Sequence, residues 1–354
     1  MSRDGANGEV LTFGLFDWLD DDGTHEVARL YAERLDMVEQ AEALGFDIYH
    51  LAEHHGTPIG LASSPNVFLA AVAMRTERIR LCPLVYVLPL YNPIRLTEEI
   101  RMLDHLSHGR LEVGFGRGSS PYELGYYGVA IEDTKESFPR TLARVRSMMV
   151  DGGMAPGTEG EMSVPPLQRP HPPLWYPSSN PESIPRLGRE GFNTILGFAF
   201  NSPPVAEVRQ RRGEFFAGVQ DAAADVTLGG AGASSPRFGI LRHVYVGETD
   251  AAARKEAVPA LTDYHQNLNY VRTRHGVDVR ELDFDALIEQ GLALIGSAET
   301  VRDSLARLLH DTGANHFAGA FTFGSLPHAQ ARRSLQRFAT EVLPAAAPVA
   351  AEAD

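Results

Sequence analysis

From one end of the sequence to the other, short apolar runs alternate with longer stretches of helical period, and few folds accept that order. Parallel strands cannot be joined by tight turns, so each needs a crossover segment, and an amphipathic helix is the usual one. Strands are predicted over residues 11–17, 46–52, 79–82, 111–115, 174–178, 194–199, 238–246 and 316–323. Helical stretches follow them at 26–44, after Pro65, at 94–106, 137–149, up to Arg189, 205–217, then 251–274 with 298–312, and 329–342. Gly45 and Gly191 stop two of the helices, and Pro83 ends the third strand because proline cannot donate to a central ladder. Eight strand–helix pairs in series suggest closure, since eight strands make a barrel whose interior side chains just fill. An open doubly wound sheet is the alternative.

Two segments lie outside the repeat: 151–173, rich in Gly and Pro, and 222–235, rich in Gly, Ala and Ser; both read as loops or insertions. Residues 1–8 and 344–354 are expected to be disordered tails, which leaves one barrel domain over 9–343. A length of 354 residues suits an α/β barrel as one unit, and 44% hydrophobic with 22% charged residues describes an ordinary globular chain with a large core.

The net charge of −14 would repel nucleic acid and anionic membranes at long range, so a small-molecule partner is expected. Cys82 is the only cysteine, so no internal disulfide can form. No apolar signal segment opens the chain, and no apolar run reaches the roughly 20 residues needed to span a bilayer. These features predict a cytoplasmic protein. No cluster of cysteines and histidines has structural-zinc spacing.

In a barrel, reactive groups gather on the loops after the strands. The second strand ends in His50-Leu-Ala-Glu53-His54-His55, the densest titratable run in the chain. His50 to His54 fits the H-x-x-E-H pattern of inverted zinc proteases, but that pattern works on a helix. At roughly 3.3 Å per strand residue the two histidines lie too far apart to share one metal. His50 and His55 taken singly read as hydrogen-bonded structural residues. His54 reads as a general acid or base tuned by its acidic neighbour, since imidazole titrates near working pH.

The fourth strand runs into Gly114-Phe-Gly116-Arg117-Gly118-Ser-Ser. Glycines let backbone N–H groups approach a phosphate, and Arg117 adds a charge-assisted contact. A tight strand-to-helix turn would also place glycines there. As a dinucleotide fingerprint the run fails, because Ser119 stands where a third small residue belongs and no ribose-binding acid follows at the right distance. After the fifth strand comes Ser178-Ser179-Asn180-Pro-Glu-Ser183-Ile-Pro185, dense in capping residues, with a helix starting at Pro181 or Pro185. A positive helix end beside hydroxyls and an amide is a second anion-competent turn. Two such turns on adjacent strands point to one phosphorylated cofactor. The third strand end, from Leu84 to Pro93, is apolar and aromatic and suits a wall under a flat heterocycle; packing beneath the next helix is the other reading.

The stretches Ala-Glu53-His54-His55, Leu-Pro-Leu-Tyr-Asn92-Pro-Ile-Arg, Leu-Asp104-His-Leu-Ser-His-Gly109-Arg110-Leu and Gly114-Phe-Gly-Arg-Gly118 resemble, in order and spacing, successive blocks of the bacterial-luciferase-like monooxygenases. The resemblance runs from about Leu11 to Leu343 and thins beyond Ala199. It implies a (β/α)8 TIM barrel with an insertion near strand seven, binding reduced FMN or, in some branches, a deazaflavin. It puts His54 in the place of the catalytic histidine and aligns Leu84 and Val85 with a non-prolyl cis peptide under the flavin ring. Arg117, Ser179, Asn180 and Ser183 match positions that hold the FMN phosphate, and Glu53, Gly116 and Gly118 fall among the cofactor-binding positions. Asn92, Gly116 and Gly197-Phe198 depart from the luciferases, which carry His, Cys and Ser-Trp there, so a long-chain aldehyde substrate and light emission are not expected.

The resulting expectation is a monooxygenase in which reduced FMN, delivered by a separate reductase, reacts with O2 to give a flavin hydroperoxide that oxygenates a small organic substrate. A homodimer is expected from the same resemblance. The rival readings are a deazaflavin-dependent hydride transferase on the same barrel, a metal-dependent hydrolase using His50, Glu53 and His54, and a flavin-binding protein without catalysis.

Overall fold

A computed structural model describes residues 10–24, 26–151, 160, 162–178, 180–224, 236–279 and 281–346. The chain opens with β1 (Thr12–Asp17) and α1 (Val27–Ala43), then β2 (Ile48–Leu51) and α2 (Pro65–Arg75). The third strand comes in two halves, β3 (Arg80–Pro83) and β4 (Tyr86–Val87), before α3 (Pro93–Leu106). Then follow β5 (Val113–Gly116), α4 (Pro121–Tyr126) and α5 (Thr134–Asp151), β6 (Leu174–Trp175) and α6 (Ile184–Arg189), and β7 (Phe192–Leu196) and α7 (Val205–Ala224). The C-terminal part holds β8 (Phe238–Val246), α8 (Asp250–Arg274), α9 (Phe284–Glu289), β9 (Ala293–Gly296), α10 (Ala298–Thr312), β10 (His316–Ala320), α11 (His328–Arg337), a π-helical turn (Phe338–Val342) and α12 (Leu343–Ala346).

Every strand pairing is parallel, and the hydrogen-bonded order is β3-β2-β1-β10-β8-β7-β6-β5-β4. Because β3 and β4 are halves of one strand, the order returns to its start. A bridge from Leu81 to Leu111, with Leu81 N–H donating to Arg110 O and Glu112 N–H to Leu81 O, fastens the same seam lower down. The result is the eight-stranded TIM barrel, and the doubly wound alternative is set aside. The segment between β8 and β10 is long and carries α8, α9 and β9, the last pairing with β8 outside the ring, so the insertion near strand seven is present.

Several boundaries differ from the sequence reading. Pro83 is the last residue of β3 rather than a terminator, and the strand resumes at Tyr86 after a cis Leu84–Val85 peptide. α4, α9 and β9 are additional elements; each is only four to six residues long, too short to show a period. α7 runs to Ala224 and α12 to Ala346, so helix occupies the first residues of two stretches read as loop and tail. Residues 1–8, 347–354, and most of the 151–173 and 222–235 loops' central parts (152–159 and 225–235) lie outside the described residues.

The helices form where local chemistry starts and stops them. Asn92 caps α3 by accepting from Ile94 N–H (3.0 Å) and Arg95 N–H (3.3 Å), with Pro93 at the first helical position. Ser297 caps α10, and Gly313 ends it with φ +69°, a conformation a side chain would strain. α1 lays Leu30, Arg34, Met37, Val38 and Ala41 against the barrel, the spacing of one helix face. Each of the buried Leu, Met and Val side chains there contributes about 1.5–3 kcal/mol.

The ring interior is less apolar than its outside. Strand alternation sends Tyr49 and Phe317 outward, against Phe68 and Phe338, and turns His50 and His316 inward with Trp175. These three rings lie 5.1–5.2 Å apart, and glycines make room: a Cβ on Gly14 or Gly239 would collide with His50 or His316. Beside them Glu112 accepts from Trp175 Nε1 (2.6 Å), Arg237 (2.8 Å) and Arg80 (2.5 Å). Burial alone would raise the Glu112 carboxyl, but the two guanidiniums outweigh it and hold it down at about 2.

Candidate functional site

The C-terminal ends of the strands open into a cavity of about 950 Å³. Its walls bring together Glu53 and His54 from the β2 end, Leu84 and Val85 between β3 and β4, Gly116, Arg117 and Gly118 after β5, and Asn180 and Ser183 after β6. Of the positions singled out in the sequence, Ser179 alone lies outside the described residues.

At the β2 end, two carboxylates fix the loop. Glu53 is buried, and its Oε1 faces His55 Nε2 at 2.7 Å while Oε2 accepts from Tyr91 OH (2.7 Å) and Val87 N–H (3.2 Å). Burial, with the Glu53 charge beside it, drives the Tyr91 phenol far above its usual range, so the hydroxyl stays a donor. His55 Nδ1 meets Tyr127 OH at 2.8 Å. Glu53 therefore links β2 to the backbone of β4, and His55 is a partner of that link.

The second carboxylate comes from α4. Glu123 Oε2 accepts from His55 N–H (2.9 Å) and lies 3.1 Å from His54 Nδ1; Oε1 lies 3.3 Å from the same nitrogen. Burial would raise this carboxyl, but the hydrogen bond and charge of His54 prevail and hold it below the ordinary value. His54 and His55 both line the cavity, and among the described residues His54 Nε2 has no hydrogen-bond partner.

Leu84, Val85, Val87 and Leu90 give the cavity an apolar stretch of lining. Gly116 is glycine for a local reason, because a Cβ there would run into a γ-methyl of Val85. Gly118 takes φ +81°, which turns the chain from β5 toward α4.

Part of the lining is cationic. Arg117 is exposed and borders the cavity with Lys135, Arg146 and Arg186. Arg146 and Arg186 share Glu190 at 3.3 and 3.2 Å. The Tyr176 phenol, also in the cavity wall, is raised by burial against the pull of the Arg186 and Arg117 charges. Asn180 accepts from Glu182 N–H (3.1 Å) and caps the single turn Pro181–Ser183, which runs straight into α6. Both helix starts suggested by the prolines are thus used in succession. Ser183 Oγ donates to Asn180 O (2.8 Å) and lies 2.7 Å from Ser178 Oγ, so hydroxyls and an amide meet at this turn, with Arg186 three residues further along.

His50 does not join this site. It points into the barrel, where its Nε2 meets His316 Nε2 at 3.0 Å, and burial pushes it down to about 3. Among the described residues, no group of three or more His, Cys, Asp or Glu side chains could hold a metal ion. No helix among them is long and apolar enough to cross a membrane.

Sequence reasoning missed Glu123, Tyr91, Arg146 and Arg186. Arg146 and Lys135 had a readable signal, since 135, 138, 139, 142 and 146 fall on one face of α5. Glu123 had none, because its partner is 69 residues away.

Comparison with known proteins gives the family and the fold. Residues 11–316 match the luciferase-like monooxygenases. The uncharacterized protein y4wF of Sinorhizobium fredii is 39% identical over 326 residues, covering 90% of this chain and 92% of that protein. Two solved structures share the fold. The monooxygenase RslO1 from Streptomyces bottropensis superposes with a TM-score of 0.81 at 23% identity, covering 94% of this chain and 99% of that one. The oxygenating constituent of 3,6-diketocamphane monooxygenase from Pseudomonas putida, a type II Baeyer–Villiger monooxygenase in complex with FMN, gives 0.76 at 17% identity, covering 95% and 98%. With the match extending from β1 into β10, the chain belongs to the luciferase-like monooxygenase family.

Proposed function

We propose that this chain is the oxygenating component of a two-component flavin-dependent monooxygenase that uses reduced FMN and dioxygen to oxygenate a small organic substrate. The observation that carries the proposal is the convergence, in the lining of one cavity, of an imidazole, apolar side chains, arginines and hydroxyls. Such a donor set fits a flat apolar ring ending in a phosphate. Arg117, Asn180 and Ser183 would hold the phosphate with Ser179, and Arg186 adds charge; Leu84 and Val85 would support the ring, with Glu53, Gly116 and Gly118 shaping its surroundings. Reduced flavin, when bound, supplies the two electrons that let one oxygen atom enter the substrate while the other leaves as water.

His54 moves the proton at the reacting centre. Trp18, Phe198 and Leu268 line the cavity and limit the access of water. A separate reductase supplies the reduced flavin, because the glycine run after β5 lacks a dinucleotide fingerprint; the Pseudomonas putida structure is likewise an oxygenating constituent. The protein is proposed to work as a homodimer.

The test is flavin titration combined with turnover on chemically reduced FMN. Arg117→Ala should weaken FMN binding by about tenfold or more, the worth of a charge-assisted hydrogen bond. His54→Ala should cut product per reduced flavin by about 100-fold while flavin affinity stays within about twofold. No saturable FMN binding, or unchanged turnover in His54→Ala, would reject the reading. Substrate reduction under anaerobic conditions with reduced deazaflavin would reject it in favour of hydride transfer.

A further inference from the structure

We infer that Glu123 is a positioning residue for His54: it holds the imidazole in the Nδ1–H tautomer and leaves Nε2 as the nitrogen offered to the cavity. The inference rests on the proposed proton-transfer role of His54 and names what makes that role possible.

The carboxylate is placed independently of the histidine. Glu123 is the third residue of α4, and its own N–H donates to Ser120 Oγ at 3.3 Å, so the helix start fixes its backbone. Glu123 Oε2 also accepts the His55 N–H at 2.9 Å, which leaves the side chain little freedom to turn away. Both carboxylate oxygens then lie within 3.3 Å of His54 Nδ1.

Proton count decides the tautomer. An ionised carboxylate has nothing to donate, so the nitrogen facing it must carry the hydrogen. With Nδ1 protonated, neutral His54 keeps its lone pair on Nε2, and the cation can release a proton only there without breaking the Glu123 bond. Among the described residues Nε2 has no hydrogen-bond partner, whereas His55, the neighbouring imidazole, has both of its nitrogens engaged by Glu53 and Tyr127. Glu123 therefore also explains why position 54 rather than 55 is free to act.

Glu123 comes from the stretch that carries Arg117 and Gly118, so the turn proposed to hold phosphate and the residue that orients the imidazole are covalently continuous. Arg117, six places earlier, would hold the phosphate while Glu123 aims the imidazole.

The experiment is long-range ¹H–¹⁵N correlation on the flavin-free full-length protein, labelled at histidine and assigned with His54→Ala. Nitrogen shifts of neutral His54 in the wild-type protein are expected to show Nδ1 protonated and Nε2 bare; the reverse assignment overturns the inference with no variant required. In Glu123→Gln, whose amide oxygen can still accept from His55 N–H, the spectrum is expected to show a mixture including the Nε2–H form. Turnover on reduced FMN should fall about 100-fold with flavin affinity unchanged. An unchanged tautomer in Glu123→Gln, or turnover equal to wild type, overturns the inference. If instead His54→Ala itself retains full turnover, the proposed function fails while the tautomer measurement still reports on the Glu123 contact, so the two failures are told apart.

Discussion

His50, His243 and His316 are buried inside the protein, and burial lowers all three: His50 and His243 to about 3, His316 well below its ordinary value. His243 stacks on Trp18 (centroids 5.1 Å) and on Phe200 (4.6 Å), with Nε2 unpartnered among the described residues, so the neutral ring serves as an aromatic spacer. As pH falls below the ordinary 6.5, the unfolded chain takes up protons that the folded state refuses. Folding stability should therefore rise with pH from about 3 to about 6.5. Each such histidine contributes a slope of about 1.4 kcal/mol per pH unit inside that window. His243→Phe should remove one histidine's share; denaturant titrations at several pH values read the slope, and an unaltered slope would contradict the assignment. At the same scale, His54 was legible in the sequence because three titratable residues in a row close a strand. Its fixing by Glu123 was not, since a contact made by folding leaves no local pattern.

Among the elements, β3, β6 and β8 meet at one carboxylate. Glu112 draws on Arg80 Nε from β3, Trp175 Nε1 from β6 and Arg237 at the start of β8, a buried arrangement in which donors from three strands converge on one group. Glu112→Gln removes the charge and leaves two guanidiniums facing a neutral amide, so the protein should lose about 3–5 kcal/mol of stability. Equilibrium unfolding near neutral pH checks it; a loss under about 1 kcal/mol would mean that solvent takes over the arginines. Legibility at this scale followed length. The eight barrel strands and their long helices were readable from periodicity, whereas α4, α9 and β9 were too short to carry one. The join between β3 and β4 was read as an end because Pro83 argues locally for termination, while the pairings of Tyr86 and Val87 with β5 are made only by the closed ring.

On the outside of the whole molecule, α2 and the adjacent α3 leave large apolar side chains uncovered: Val67 (73% exposed), Met74 (72%), Met102 (53%) and Leu106 (42%). A second copy of the chain would cover them, in keeping with the proposed homodimer. Light scattering after size exclusion should give twice the chain mass, and Met74→Glu with Met102→Glu should shift it to one; a monomeric wild-type protein would refute the assembly. The fold was open to sequence reading because its repeat is long, and the cavity was open in part because strand ends are countable. The barrel's filling was not, since charged and imidazole side chains run against the expectation of an apolar core. That filling also restricts how the ring can be put together. A strand that slipped by one position would swing Glu112 from the lumen to the helix side, parting it from all three donors together, so the ion cluster acts as a key that admits a single shear.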